Sequence, residues 1–332
     1  MRKISPKRPR RVNLAIVGVG HLGSKHLKVY CGQLAAKAQV VTVCDINRAA
    51  AEKASQPYRI KVLEDYRQLT SEIEAVNICT PTSSHFEIAR FFLKQGVHTF
   101  IEKPITLTLK EADILIGLAQ KKNLKLQVGH VERFNAAFQA IRSLAPVALL
   151  RKAKQRGRAL NPLFVECHRL NHFPNRSLDL NVVTDLMIHD IDIVLGLVDS
   201  PIQDIQAVGV NVLTDLEDIA NARLTFQNGC VCNLTASRVS DEVMRKIRIF
   251  LKDTYISLDY VKQEAFLYKK NGASISKTSL PIEKEEPLKK ELESFLDCIL
   301  QDTQPLVSGV EGRMALEVAL KITQTLWKNP SI

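Results

Sequence analysis

No apolar run in this chain approaches the roughly 20 residues that a membrane-spanning helix needs. The N-terminus imitates a signal peptide, because the basic "MRKISPKRPRR" precedes the apolar "VNLAIVGVG". The apolar part is short, however, and a glycine pattern follows it where a cleavage site would stand. We therefore expect a basic flexible tail over residues 1–11, then a first strand, and no stable insertion into a membrane.

The sequence also lacks a Cys-x-x-Cys pair. Its seven cysteines are odd in number and mostly lie within apolar runs, where a free cysteine packs as a small apolar residue. This usage argues against a disulfide framework and predicts a cytoplasmic protein. His168 and His172 have the spacing of a metal-ligand pair, but no further cluster completes a site, so we expect no metal.

Aromatic residues, 6% of the chain, are missing from its two basic runs. The net charge is +11, and the runs are the tail and "RKAKQRGR" at 151–158. Without aromatic residues, a stacking platform for single-stranded nucleic acid is not expected. We interpret both runs as solvated segments with no nucleic-acid partner. Salt-dependent binding that is lost on deleting residues 1–11 would instead indicate contact with a polyanion or an anionic membrane surface.

What the first third does contain is an alternation of short apolar strands with amphipathic segments. This pattern predicts a parallel sheet that helices cover on both faces. The predicted strands are 12–18, 39–45, 75–80, 97–103 and 124–130, and the segments between them include 82–95 and 108–122.

The pattern changes after about residue 145. Apolar and polar residues alternate over 219–236 around Asn228-Gly229, which predicts a β-hairpin, and two further strands are expected within 245–260. Two helices close the chain. The second of them begins at Ser308 and Glu311, which have the spacing of a capping box. We expect a mostly antiparallel sheet here, in a second, α+β domain that covers residues 131–332.

A glycine motif follows the first strand and opens the first helix. Gly18, Gly20 and Gly23 have the spacing Gly-x-Gly-x-x-Gly, with His21 and Leu22 between the last two. In this context the motif predicts a dinucleotide site, because the loop admits a pyrophosphate and the helix N-terminus attracts it. The doubly wound sheet is then a Rossmann domain over residues 12–130.

The end of the second strand indicates which dinucleotide binds. Asp45 can accept hydrogen bonds from ribose hydroxyls and would repel a 2′-phosphate, which favours NAD. Arg48 lies close enough in sequence to pair with such a phosphate, so NADP is not excluded.

Two more strand ends carry polar residues. Thr80, Pro81 and His85 lie at or just after the end of the predicted strand 75–80 and are candidate neighbours of the cofactor, although a plain strand-to-helix loop would look similar. Glu102 and Lys103 end the predicted strand 97–103 just before Pro104, and the Lys103-Pro104 bond could be cis. Beside an oxidised nicotinamide, Lys103 would lose its proton more readily and could bind or deprotonate a substrate hydroxyl.

The stretch "VTDLMIHDIDIVLGL" at 183–197 is apolar but carries acids and an imidazole. In a helix, Asp185, His189 and Asp192 would share one face. Oxidation of an alcohol needs a proton acceptor, and His189 has a suitable intrinsic pKa. Asp185 could orient the substrate or the imidazole. Asp190 and Asp192 could simply cap or solvate neighbouring segments.

Together, the glycine loop, "EKP" at 102–104 and Asp-x-x-x-His at 185–189 resemble the Gfo/Idh/MocA oxidoreductases from about residue 12 to 327. The resemblance implies a Rossmann domain, a second domain with an open antiparallel sheet for substrate binding and oligomerisation, and an NAD(P)-dependent reaction at a sugar-like hydroxyl. It implies catalytic roles for Lys103, Asp185 and His189, and a homodimer or homotetramer. It does not divide acid–base duty between Lys103 and His189.

A narrower resemblance concerns "GHVERFN" at 129–135, "NLTASRVS" at 233–240 and "YISLDY" at 255–260. These segments are similar to bacterial members that oxidise nucleotide sugars, such as the 3-hydroxyl of UDP-N-acetylglucosamine in lipid A precursor synthesis. Substrate-binding roles would then fall to three residues, Arg133, Asn135 and Arg169. Structural ion pairs are the equal alternative for both arginines.

Other functions remain open at this point. The same chemistry could act on a free sugar, an inositol or a linear tetrapyrrole, and a diphosphate requirement would separate these substrates. The chain could also be a non-enzymatic dinucleotide-binding regulator of the same fold, against which the complete Lys103, Asp185 and His189 set argues.

Overall fold

The computed structural model describes residues 10–69, 72–144, 160, 162–173 and 180–328. Apart from Arg10 and Arg11, the two basic runs lie outside these residues. The chain divides into two compact units. The first holds the chain through Gly129 together with Leu288–Arg313, and the second holds His130–Pro287 and the chain from Met314 onward.

The first unit is built on a six-stranded sheet with the order β3-β2-β1-β4-β5-β6, in which all pairs are parallel. The predicted doubly wound sheet is therefore confirmed. The short third strand was not foreseen, because three residues are too few to show periodicity. The strands are β1 Val12–Val17, β2 Ala38–Cys44, β3 Lys61–Leu63, β4 Ala75–Ile78, β5 His98–Glu102 and β6 Leu126–Gly129.

Helices cover this sheet. Thr108 and Glu111 form a reciprocal capping box at the start of the fourth helix. The order of the strands reverses between β1 and β4, which is the switch point where doubly wound sheets bind ligands. The helices of this unit are α1 His21–Cys31, α2 Arg48–Ser55, α3 Thr82–Lys94 and α4 Leu109–Lys121, with α7 Pro287–Leu300 returning late in the chain.

Because α7 belongs to the first unit, the observed units differ from the single division at residue 130/131 that the sequence predicted. The apolar face of α7, which includes Leu292, Phe295 and Leu296, packs into one cluster with Leu14 and Phe100 of the parallel sheet. Leu288–Arg313 therefore belongs to the first unit, because the apolar face of α7 is buried against the strands of that unit.

The second unit is built on an eight-stranded sheet with the order β14-β13-β12-β11-β7-β10-β9-β8. Its pairs are antiparallel, apart from the parallel pair of β7 and β10. The predicted hairpin at Asn228-Gly229 joins β9 to β10, and Gly229 takes the positive φ of +85° that such a turn requires. The strands are β7 Phe164–Leu170, β8 Ile202–Val210, β9 Ile219–Phe226, β10 Val231–Ser237, β11 Met244–Leu251, β12 Thr254–Asp259, β13 Glu264–Asn271 and β14 Ser274–Ser279.

Three helices pack on one face of this sheet and form its core with alternate strand residues. They are α5 Ala136–Leu144, α6 Ile188–Leu197 and the part of α8 Gly309–Lys328 that follows Met314. A π-helical turn, Val183–Met187, leads directly into α6. The predicted capping pair is present at the start of α8, where the Ser308 hydroxyl donates to Glu311 at 2.6 Å. Among the described helices, none combines the length and apolar character that crossing a membrane requires.

Candidate active site

The glycine loop has the tight geometry that its sequence predicts. Gly18 has φ +86°, and a Cβ there would lie 2.8 Å from the carbonyl of Cys79. A Cβ on Gly23 would lie 1.9 Å from the Gly18 oxygen, so the first turn of α1 packs directly on the loop. Gly20 differs, since a Cβ there meets no described atom within 4 Å. The open side of the loop is thus at Gly20.

The N-terminus of α1 fits a pyrophosphate. Gly20 caps the helix without a side chain, and no acidic side chain lies in the first turn of this fully described helix. His21 and Leu22 form that turn and are exposed and half-buried. Backbone N–H groups of the first turn and the positive end of the helix dipole therefore face the space next to Gly20.

Asp45 lies at the end of β2, against the same loop. Its Oδ2 accepts a hydrogen bond from the Val19 N–H at 2.8 Å, and its Oδ1 accepts one from the Asn47 N–H at 2.9 Å. Arg48 pairs instead with Glu52 at 2.8 Å and with Glu64 at 3.2 Å. Because Arg48 is held by two carboxylates, the surroundings of Asp45 favour ribose hydroxyls over a 2′-phosphate.

The residues after β4 form the neighbouring edge of the site. The Ser84 hydroxyl donates to Thr80 Oγ1 at 2.7 Å, and Pro81 occupies the N-cap position of α3. His85 is buried, with Nε2 2.9 Å from the Thr80 carbonyl oxygen and Nδ1 2.9 Å from that of Pro104. Burial lowers the pKa of this imidazole. His85 thus lies between the loops after β4 and β5, where its ring nitrogens face the backbone.

Lys103 follows β5, and its bond to Pro104, which the sequence allowed to be either cis or trans, is cis. Lys103 is half-buried, and its backbone N–H donates to Glu102 Oε2 at 3.2 Å. Glu102 itself is buried, with Oε1 3.2 Å from Nε2 of the buried His26. The lysine therefore stands at the carboxyl end of the sheet on a turn that buried polar groups support.

In the second unit, the expected helical face of Asp185, His189 and Asp192 is interrupted. Asp185 lies in the π-helical turn and His189 in the first turn of α6, and both are half-buried. Asp192 is fully buried and bonds Arg133, so it does not share a face with them towards solvent. The π-helical turn shifts the spacing that an ideal helix would give, and such turns are frequent at functional sites.

His130, which sequence reasoning did not single out, lies beside His189. The two rings meet edge to face, with centroids 6.1 Å apart and planes at 85°. His130 directly follows β6, and this position at the carboxyl end of a parallel strand was the signal that could have identified it.

The two candidate substrate arginines are held by carboxylates. Arg133 donates from Nε and Nη2 to the two carboxylate oxygens of Asp192, at 2.6 and 2.9 Å. Arg169 does the same to Asp190 at 2.8 and 2.9 Å, and Nη1 donates to Glu132 at 2.9 Å. Of the two interpretations that the sequence left open, the observed geometry favours structural ion pairs.

Asn135 makes its described contacts within the chain. Its amide donates to the Tyr260 carbonyl oxygen at 3.1 Å and its Oδ1 accepts the Ala137 N–H at 3.1 Å.

Of the two candidate metal histidines, His172 has its Nδ1 3.1 Å from the Ser240 carbonyl oxygen. Within the described residues, no group of three or more His, Cys, Asp or Glu side chains is placed to hold a metal ion.

Comparison with known proteins identifies both domains. Residues 12–130 match the family described as "Oxidoreductase family, NAD-binding Rossmann fold", and residues 147–256 match the "GFO/IDH/MocA C-terminal domain". The chain is also 22% identical over 340 residues to the myo-inositol 2-dehydrogenase of Thermotoga maritima, covering 97% of this chain and 98% of that one.

A more similar relative is the UDP-N-acetylglucosamine 3-dehydrogenase of Acidithiobacillus ferrooxidans. The two are 37% identical over 313 residues, which is 92% of this chain and 95% of the relative. A solved structure of that organism's UDP-N-acetylglucosamine 3-dehydrogenase superimposes with a TM-score of 0.86, covering 96% of this chain and 98% of that one. The WlbA dehydrogenase of Bordetella pertussis, solved with NADH and UDP-GlcNAcA, shares the fold at 18% identity, a TM-score of 0.79 and coverage of 96% and 98%. With both domain matches and a relative spanning nearly its whole length, this chain belongs to the GFO/IDH/MocA family of NAD-binding oxidoreductases.

Proposed function

We propose that this enzyme oxidises the 3-hydroxyl of a nucleotide sugar, such as UDP-N-acetylglucosamine, to a ketone with NAD. The observation that carries the proposal is the 37% identity to a UDP-N-acetylglucosamine 3-dehydrogenase over 92% of this chain. The residues that the chemistry needs, Lys103, Asp185 and His189, are present in this sequence.

The dinucleotide is held by backbone and side-chain groups of the first unit. The open side of the loop at Gly20 and the N-terminus of α1 bind the pyrophosphate, while Asp45 accepts hydrogen bonds from the ribose. Thr80, Pro81 and Glu102 border the same edge of the sheet. Bound NAD supplies a nicotinamide carbon, C4, that accepts a hydride.

A group of the protein accepts the proton of the substrate hydroxyl. As the C–H bond of the carbinol breaks, its electron pair leaves with the hydride, and the hydroxyl proton goes to a protein base. We assign this task to Lys103 and His189 together. Imidazole and amine groups both accept and return protons in catalysis of this kind. Asp185 orients the substrate or the imidazolium.

The test is formation of NADH, followed at 340 nm, with NAD and a panel of UDP-sugars, free sugars and inositols. A carbonyl trap or a coupled aminotransferase belongs in the assay, because the equilibrium can favour the alcohol. Turnover of UDP-N-acetylglucosamine, with loss of activity when the diphosphate is removed from the substrate, is the expected result.

Two outcomes contradict the proposal in different ways. Turnover restricted to a free sugar or an inositol keeps the chemistry and replaces the substrate. Tight binding of NAD without turnover of any UDP-sugar rejects the proposed reaction and favours a regulatory, dinucleotide-sensing protein.

We also propose that the enzyme is a cytoplasmic homodimer or homotetramer that acts in lipid A precursor synthesis. All seven cysteines are described and free, which supports a reducing compartment. Self-association is supported by a row of half-buried aromatic rings on the face of the large sheet opposite its core. The rings are those of Phe164, Phe250, Tyr255 and Tyr268, with successive centroids 5.6, 5.3 and 4.2 Å apart.

A further inference from the structure

A chain of buried polar groups runs beneath the strand ends of the first unit. Asn77 lies within β4 and His26 within α1, and neither side chain is exposed to solvent. Glu102, at the end of β5, is 8% exposed. An amide, an imidazole and a carboxyl group in an apolar core would each destabilise the fold without partners, so their mutual arrangement is informative.

The contacts of His26 define which way its ring faces. Its Nδ1 lies 2.7 Å from Nδ2 of Asn77, which is a donor, so Nδ1 accepts. In the neutral ring the proton is then on Nε2, which lies 3.2 Å from Glu102 Oε1. Phe100 packs edge to face on the ring at 5.7 Å and restricts its rotation. His26 Nε2 thus lies within ion-pair distance of the buried carboxylate, without the geometry of a hydrogen bond.

Glu102 is confined on its other sides as well. Its Oε2 accepts the Lys103 N–H at 3.2 Å. On the β6 side, a Cβ on Gly129 would lie 2.8 Å from the carboxylate carbon and from both of its oxygens. The carboxylate therefore occupies space that only a glycine leaves open, between His26 and the backbone of Lys103.

We propose that His26 is a positioning residue that sets the turn of residues 103–105 through Glu102. This inference rests on the proposed function, in which Lys103 touches the substrate. The helix that carries His26 begins at the glycine loop, where the dinucleotide is proposed to bind. The contact between His26 and Glu102 joins that helix to the strand end that carries Lys103. Reacting groups displaced by about 1 Å lose rate steeply, so a short buried link of this kind affects turnover.

The kinetic test compares His26→Phe with His26→Gln. Phenylalanine keeps a ring against Phe100 but removes both nitrogens, whereas glutamine can place an N–H near the position of Nε2. We expect His26→Phe to lower kcat about tenfold or more while the Kd for NAD changes less than about threefold. His26→Gln should recover most of the lost kcat.

His98→Gln is the matched control. His98 lies at the opposite end of β5, where its Nδ1 accepts the Lys125 N–H at 2.9 Å. This control perturbs the same strand without touching residues 102–105, so its kcat should stay near the wild-type value. Equal losses of kcat in His98→Gln and His26→Phe would overturn the proposal, because they would indicate a general loss of strand stability.

A second readout does not depend on turnover. Hydrogen exchange, followed by mass spectrometry on a peptide that spans residues 98–107, reports the hydrogen bond of the Lys103 amide. We expect about tenfold faster exchange there in His26→Phe and unchanged exchange over β2. If the wild-type enzyme turns over no UDP-sugar, the proposed function fails while this measurement still decides the role of His26. If His26→Phe shows both the exchange rate and the kcat of the wild-type enzyme, the positioning role of His26 is rejected.

Discussion

Arg133 and Arg169 are buried cations, each held by two hydrogen bonds to the carboxylate of one aspartate. Arg133 also occupies space next to Gly196, where a Cβ would lie 2.0 Å from its Nη1. Removing one member of a buried ion pair leaves an uncompensated charge, which destabilises a protein by about 3–5 kcal/mol. A structural role for these arginines therefore predicts a lower free energy of unfolding on substitution, whereas a substrate-binding role predicts a raised KM.

We expect Arg133→Met to lower the free energy of unfolding by about 3 kcal/mol, because Asp192 is left buried without its cation. Urea denaturation followed by circular dichroism measures this change. The control Arg248→Met removes a half-exposed cation paired with Glu166 and should change the free energy by less than about 1 kcal/mol. Wild-type stability with a raised KM for the nucleotide sugar would instead assign Arg133 to the substrate.

At the same scale, Lys103→Ala and His189→Ala should each lower kcat by about 10²- to 10⁴-fold, because in the proposed mechanism each removes a group that accepts or shares the hydroxyl proton. The Kd for NAD, measured by fluorescence titration of NADH or by calorimetry, should change by only a few fold. Lys110→Ala on the exposed face of α4 is the control and should keep wild-type kcat. A loss of NAD binding comparable to the loss of kcat in both variants would reject the assigned roles.

At the scale of single elements, the segment between β8 and β9 is organised by one carboxylate. Asp218 is buried at the start of β9, and its Oδ2 accepts the N–H groups of Val212, Leu213 and Thr214 at 2.8, 2.6 and 3.0 Å. Arg238 donates to its Oδ1 at 2.8 Å. Burial alone would raise the pKa of Asp218, but these donors hold it well below its usual value.

This low pKa predicts how stability depends on pH. A carboxyl whose pKa is lower in the folded than in the unfolded chain stabilises the fold above the unfolded pKa of about 4. That contribution is lost as the pH falls from about 4 towards the folded pKa. We expect Asp218→Asn to reduce the free energy of unfolding by about 3 kcal/mol at pH 7. The difference from wild type, measured by denaturation between pH 7 and pH 3, should narrow below about pH 4, and a constant difference would contradict the prediction.

The elements also differ in how far sequence alone predicts them. The glycine loop, the hairpin at Asn228-Gly229 and the capping pair at Ser308 were predicted, because each depends on residues a few positions apart. The π-helical turn at 183–187 was not predicted, since a helical periodicity assumes uniform turns. The three residues of β3 are also too short to show a pattern.

For the whole molecule, the row of aromatic rings on the large sheet predicts self-association. We expect Tyr255→Lys, which introduces a charge in the middle of that row, to shift the mass found by analytical ultracentrifugation towards the monomer. Lys110→Glu, on the exposed face of α4 in the first unit, is a control that changes charge away from the row of rings. A wild-type enzyme that sediments as a monomer would contradict the proposed dimer or tetramer.

By itself, the sequence determined the class of this protein: the doubly wound sheet, the dinucleotide loop and the antiparallel second half. These depend on local spacing and periodicity. Only the tertiary structure decided that α7 belongs to the first unit, that His26 meets Glu102, and that Arg133 pairs with Asp192. Arg133 and Asp192 are 59 positions apart in the chain, so no local pattern relates them. They are brought together because a buried charge must find its partner when the core packs.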